Sequence, residues 1–319
     1  MKVASPQELD RILAEAVRIR MPSNLPLAGL FTGGIDSTLV MHYASRNCST
    51  VPCYIAVGGN SPDYKYAKHY AEETGLDLRE VRIDVHSAKT LSLIETVVDA
   101  VESFEPAVIR PSLQTYLVSQ RIHQDRFRVA LCGEGADELF AGYPPLGYAF
   151  SETSGVGRHM QKQCLSMMHR ANLQRIDRCS MQFALEIREP FLDLSVVGYA
   201  SGLDESVFVN QTAEAPVGKA QLRALYDLYP SVLPTLIRDR QKLPFHGGAG
   251  GDVEGSGWLA LFEDALSDSE FHDGQREFSD FQIATKEELF FMRTLAVKLD
   301  VKRIPHLRGR LRLDMPRAA

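Results

Sequence analysis

The chain has 319 residues, 45% hydrophobic and 24% charged, the make-up of an ordinary globular protein rather than a fibrous or low-complexity one. A formal net charge of −6 and a sequence pI of about 5.9 argue against nucleic-acid steering by the whole molecule. No stretch approaches the ~18 uninterrupted apolar residues that a membrane span requires. Cys48, Cys53, Cys132, Cys164 and Cys179 form no CxxC pair, and MKVASPQELD carries no signal-peptide pattern, so reduced thiols and a cytoplasmic location are expected. The histidines are scattered without metal-site spacing.

In chain order, Ser5-Pro6-Gln7-Glu8 reads as a capping box with Pro at the first helical position, and Leu9, Ile12, Leu13 and Val17 supply an apolar helical face. Residues 1–24 are therefore set apart as an N-terminal helix. The pattern then alternates: strand 27–31 and helix 36–46, strand 53–57 and helix 63–75, strand 78–84 and helical segments between 88 and 124, strand 127–132 and helix 136–141. Such alternation predicts an α/β fold with a doubly wound parallel sheet and a ligand at the carboxyl ends of the strands. Residues 25–158 form this predicted core. Residues 159–300 show helical periodicity without clear strands, at 160–184, 192–201, 216–229, 257–266 and 285–299, and are expected to form a C-terminal helical layer against the sheet. Between them Gly247–Gly257 is glycine-rich and reads as a flexible segment, either a simple linker or a lid. Residues 301–319 are a basic tail; the run Lys298–Arg317 carries seven Lys or Arg against two Asp.

Two glycine turns sit at predicted strand ends. In LAGLFTGGIDS, Leu27 to Ser37, an apolar strand stops at Gly33-Gly34 and a helix opens, which brings freed N–H groups toward an anion. No Lys follows the glycines, so this is not a Walker loop. The second turn lies in FRVALCGEGADELFAGYP, Phe127 to Pro144, where Gly133 and Gly135 alternate with Glu134 and Ala136 ahead of Asp137 and Glu138. Asp36 and Asp137 each follow such a turn and can converge on Mg²⁺, a hard cation that takes carboxylate and phosphate oxygens. Glu134, between two glycines at a strand end, is a candidate orienting or proton-accepting group.

The first segment resembles the SGGxDS loop of the PP-loop ATP pyrophosphatases, with Thr32 in place of Ser. The second is similar to the GEGxDE(L/V)FxGY signature of the asparagine synthetase family, DRCSMQFALEIREPFLD (Asp177 to Asp193) to its DRxSMxxxLExRxPFLD segment, and RQKLPF (Arg240 to Phe245) to its RxKxxF loop. Four matches in the family's order cover about residues 25–250. The resemblance implies a PP-loop synthetase that adenylates a carboxylate with ATP, releases pyrophosphate and transfers the acyl group to ammonia or an amine.

By the same resemblance Thr32, Gly33, Gly34 and Ser37 cradle pyrophosphate, Asp36 and Asp137 bind Mg²⁺–pyrophosphate, and Leu30, Val57 and Gly133 hold adenosine. Lys242 stands at the family lysine that neutralises the phosphorus in the transition state. Glu186 and Arg188 read as a buried ion pair or helix-junction brace. Cys132 departs from the Ser often found before the glycine, and Asn172 stands where the family often has Asp, which leaves the acyl substrate open. The loop arrives by residue 32 with no Cys near the start, so a glutaminase half is not expected in this chain. Nitrogen is then expected from free ammonia, a separate glutaminase subunit or a substrate amine, as in the related β-lactam synthetases; self-association into a homo-oligomer stays open. The competing readings are a catalytically silent synthetase-like subunit, against which the joint presence of Asp36, Asp137, Glu134 and Lys242 argues, and a tRNA-modifying PP-loop enzyme, whose paired Cys or basic face is not visible.

Overall fold

In a computed structural model, residues 4–58, 61–84, 89–152, 155–212, 215–240, 258–304 and 307 are described. The lysine of the RQKLPF segment, the glycine-rich 247–257 stretch and most of the basic tail lie outside them. The chain opens with α1 (Pro6–Arg18), where Ser5 Oγ accepts from the Glu8 N–H at 3.2 Å. It continues through β1 (Leu27–Leu30), α2 (Ile35–Ser45), β2 (Cys53–Gly58), α3 (Pro62–Thr74), β3 (Leu78–Ile83), α4 (Thr90–Val101), α5 (Pro106–Gln124) and β4 (Val129–Leu131). Then follow α6 (Ala136–Leu139), α7 (Pro144–Ser151), α8 (Val156–Met167), α9 (Asn172–Met181), β5 (Glu186–Arg188), α10 (Leu194–Gly202), β6 (Asn210–Gln211), β7 (Pro216–Val217), α11 (Ala220–Tyr226) and α12 (Thr235–Arg238). Helices Trp258–Ala265, Asp268–Glu277 and Lys286–Lys298 complete the described chain.

Five strands form one sheet in the order β3-β2-β1-β4-β5, every pair parallel. This is the expected α/β class. The chain leaves β1 toward β2 and β3 and later returns to β4 on the other side, so the crevice where the order reverses lies between the ends of β1 and β4. Those are the two glycine turns.

The helical segments expected between 88 and 124 are α4 and α5, separated because Glu102 takes a left-handed φ of 57° that closes α4 and Pro106 opens α5. Three sequence expectations change. Segment 160–184 breaks between Met167 and Asn172. The C-terminal half also contains strands: β5 extends the sheet and β6–β7 form a small antiparallel hairpin. A three-residue strand is too short to show alternation. Glu186 and Arg188 do pair, with Arg188 Nε 2.8 Å from Glu186 Oε1, but Glu186 is 61% exposed, so the pair is not buried; Arg188 also donates to the Arg20 carbonyl just after α1, at 2.5 Å.

Leu9, Leu13 and Val17 of α1 join Leu39, Val40 and Tyr43 of α2 in the largest core cluster, which continues into Leu222, Leu225 and Ile237. A second cluster unites Ile94, Val97 and Val101 of α4 with Phe262, Leu289 and Phe291. At its edge the Glu287 carboxylate, 1% exposed, accepts from Arg110 Nε at 2.9 Å and from Trp258 Nε1 at 2.7 Å. Arg110→Ala leaves that carboxylate without its cation, and urea unfolding is expected to show a loss of about 3 kcal/mol. The double variant Arg110→Ala/Glu287→Gln should recover part of the loss.

Candidate active site

β1 ends at Leu30, and Gly33 turns the chain with φ +62°. A Cβ there would collide with the backbone of Ala67 in α3, so both the turn and the close approach call for glycine. Gly34 caps α2 without a side-chain bond, and Gly34, Ile35, Asp36 and Ser37 line a cavity of about 470 Å³. Thr32 Oγ1 accepts from the Gly34 N–H at 3.3 Å and lies 3.2 Å from Ser37 Oγ, so both hydroxyls sit on the turn that opens α2. From outside the turn, Arg240 donates to the Gly33 carbonyl at 2.9 Å, pairs with Asp63 and lies 4.4 Å over the Tyr66 ring. It thereby ties the start of the RQKLPF segment to the loop.

The second turn follows β4. A Cβ on Gly133 would lie 2.8 Å from Asp36 Cβ and 2.9 Å from the Ser37 nitrogen, so the two turns touch only because residue 133 lacks a side chain. That contact brings the two aspartates together. Lys219 Nζ is 2.5 Å from Asp36 Oδ2 and 2.5 Å from Asp137 Oδ1. Lys219 is 4% exposed, holds a left-handed φ of 61° and donates its N–H to the Phe140 carbonyl at 2.8 Å. Sequence reading missed this lysine. Its only local signal is the Val217-Gly218-Lys219 turn ahead of α11, and strained backbone at a non-glycine residue tends to accompany functional sites.

On the far side of Gly133, Glu134 Oε1 accepts from Asn172 Nδ2 at 2.5 Å and Oε2 from Arg175 NH2 at 3.0 Å. Arg175 NH1 also donates to Thr115 Oγ1 at 2.8 Å, which links the group to α5. The Asn172 amide reaches Glu138 Oε1 as well, at 2.9 Å, and the Tyr143 hydroxyl donates to that oxygen at 2.6 Å. Burial first, then the nearby Glu134 and Asp137 charges, push the Glu138 carboxyl up to about 7. Burial raises the Tyr143 phenol well above its ordinary value.

Of the sequence-predicted residues, Leu30, Thr32, Gly34, Asp36, Ser37, Gly133, Glu134 and Asp137 share the cavity wall. Gly33 stands just behind it as the turn residue, and Val57 packs against the main core rather than in the wall. Lys242 lies outside the described residues. Arg110 is engaged with Glu287 away from the cavity, whereas Arg240 is part of the wall. Two carboxylates and one ammonium thus face the first turn of α2, and a hydrogen-bonded carboxylate waits on the other side of Gly133. With a further cation held by the two carboxylates, this arrangement can take a polyphosphate at one end and accept a proton at the other.

Among the described residues no helix is long and apolar enough to cross a membrane. Residues 8–153 and 148–297 match the asparagine synthase family. The chain is 30% identical over 258 residues to asparagine synthetase [glutamine-hydrolyzing] 1 of Arabidopsis thaliana, covering 77% of this chain and 43% of that protein. It is 27% identical over 315 residues to a probable asparagine synthetase [glutamine-hydrolyzing] of Schizosaccharomyces pombe, covering 90% and 54%, and 28% identical over 217 residues to a putative one of Methanocaldococcus jannaschii, covering 67% and 39%. The chain spans about half the length of the curated relatives it matches. With the family match running over nearly the whole sheet and the helices behind it, the chain belongs to the asparagine synthase family.

Proposed function

We propose that this chain is an ATP-dependent amide-forming ligase that activates a carboxylate as acyl-AMP, with release of pyrophosphate, and transfers it to ammonia or an amine. The observation that carries this reading is the meeting of Asp36 and Asp137 across two touching glycine turns, with Glu134 on the same cavity. The phosphates of ATP lie against the Thr32, Gly34 and Ser37 donors, while Leu30 and Gly133 border the nucleoside. A carboxylate oxygen attacks the α-phosphorus and pyrophosphate departs. Charge growing on the leaving group is the main demand on the site.

Asp36 and Asp137 suit Mg²⁺. An ammonium cation already stands between their oxygens, and two hard carboxylate donors leave room for the phosphate oxygens and waters that this ion prefers. When bound, it supplies neutralisation of the triphosphate. Lys219 is the protein's own cation at the same spot, and Lys242, by its place in the family-like RQKLPF segment, is the second. Glu134 then takes a proton from the amine that displaces AMP. A silent subunit would have no need for this joint arrangement, which disfavours that alternative.

Incubation with ATP, a panel of carboxylates including aspartate, and ammonium should yield AMP and pyrophosphate in a Mg²⁺-dependent reaction. ADP and phosphate would overturn the assignment. Asp36→Asn and Asp137→Asn should each slow turnover by about 10²–10³-fold, the scale of losing one electrostatic contact in a transition state. Residues 1–319 should use ammonium or an amine and fail with glutamine alone, which product analysis can check. Lys242→Ala should depress kcat and kcat/KM together while ATP still binds, the mark of a group that acts on the transition state. A rise in KM for ATP alone would instead make it a ground-state phosphate contact.

A further inference from the structure

The amide of Asn172 serves two carboxylates at once, at 2.5 Å from Glu134 Oε1 and 2.9 Å from Glu138 Oε1. Glu134, ion-paired with Arg175, accepts hydrogen bonds rather than donating them, so the side-chain NH2 rather than the carbonyl must face it. The surroundings sharpen the point. Glu134 also faces Arg175 from α9, Glu138 from α6 and Glu189 beyond β5, with Tyr143 and the buried Cys132 thiol close by. Among the described residues, Arg175 is the cation ion-paired with Glu134, and it also donates to Thr115.

We propose that Asn172 is a positioning residue for amide formation, whose NH2 group holds Glu134 beside Glu138 and points its carboxylate at the attacking amine. This rests on the base role assigned to Glu134 above. In that step ammonia forms a bond from nitrogen to the acyl carbon, the acyl–oxygen bond to AMP breaks with its electron pair leaving on the AMP phosphate, and one N–H proton passes to Glu134. A carboxylate at position 172 would bring a third acceptor into contact with two others and supply no donor. The amide therefore decides where Glu134 points and how much negative charge surrounds it.

Asn172→Asp keeps the shape and exchanges the NH2 for an oxygen; Asn172→Ala removes the donor without adding charge. Carbon NMR of glutamate-labelled protein reads Glu134 directly, its resonance assigned by its loss in Glu134→Gln. In Asn172→Asp the Glu134 carboxyl should titrate about one pH unit or more above wild type, as a like charge at this range demands; in Asn172→Ala it should move the same way by less. With the carboxylate that supports the fastest ATP–pyrophosphate exchange, Asn172→Asp should leave exchange within about twofold and slow amide formation about tenfold or more, within the range of a misplaced general base. An unmoved Glu134 titration, or equal losses in exchange and amide formation, overturns the proposal. Amide formation by Glu134→Gln at the wild-type rate instead removes the base role itself, whatever the Asn172 variants do.

Discussion

The site depends on one close approach, the contact of Gly133 with Asp36 and Ser37. It is possible only where two parallel strands end side by side and neither turn carries a bulky side chain. The β1–β4 register provides this, with Leu27 opposite Val129 and Gly29 opposite Leu131. Once the turns touch, two aspartates of like charge are brought together at the edge of the core, and a cation between them relieves their repulsion. Lys219 fills that need, and the hairpin and α11 that present it are fastened to the sheet by the same interaction.

The proton-handling side follows the same logic with hydrogen bonds in place of charge. Glu134 leaves the turn toward α9, whose first residues supply both its donors. α9 is in turn packed on α4 and α5, and α4 belongs to the second core cluster. The C-terminal helices therefore reach the chemistry through packing: Phe262 and Phe291 support α4, α4 and α5 support α9, and α9 aims Glu134. A loss of order in that cluster should be felt first at Glu134 rather than at the aspartates, which the sheet itself holds.

Much of this was legible before any coordinates. The strand–glycine–helix rhythm announced the parallel sheet, and Thr32 to Ser37 and Gly133 to Asp137 announced the two turns, because each is a contiguous run whose backbone demands are local. The less accurate readings came where signals were short or distant. β5 has three residues and no room for alternation, and the Glu186–Arg188 pair looked buried because apolar neighbours surround it in sequence, whereas β5 is an edge strand that leaves the Glu186 side chain exposed.

The amino-acid sequence by itself determined the fold class, the family and the two turns that form the cavity's floor, since glycine positions, apolar runs and motif order are properties of neighbours along the chain. Only the tertiary structure decided what meets those turns. Lys219 is 183 residues from Asp36 and Asn172 is 38 from Glu134, and no periodicity or spacing records such pairings. They arise when the sheet order brings β1 and β4 together and the later helices fold back over them, which is a matter of packing among residues far apart in sequence.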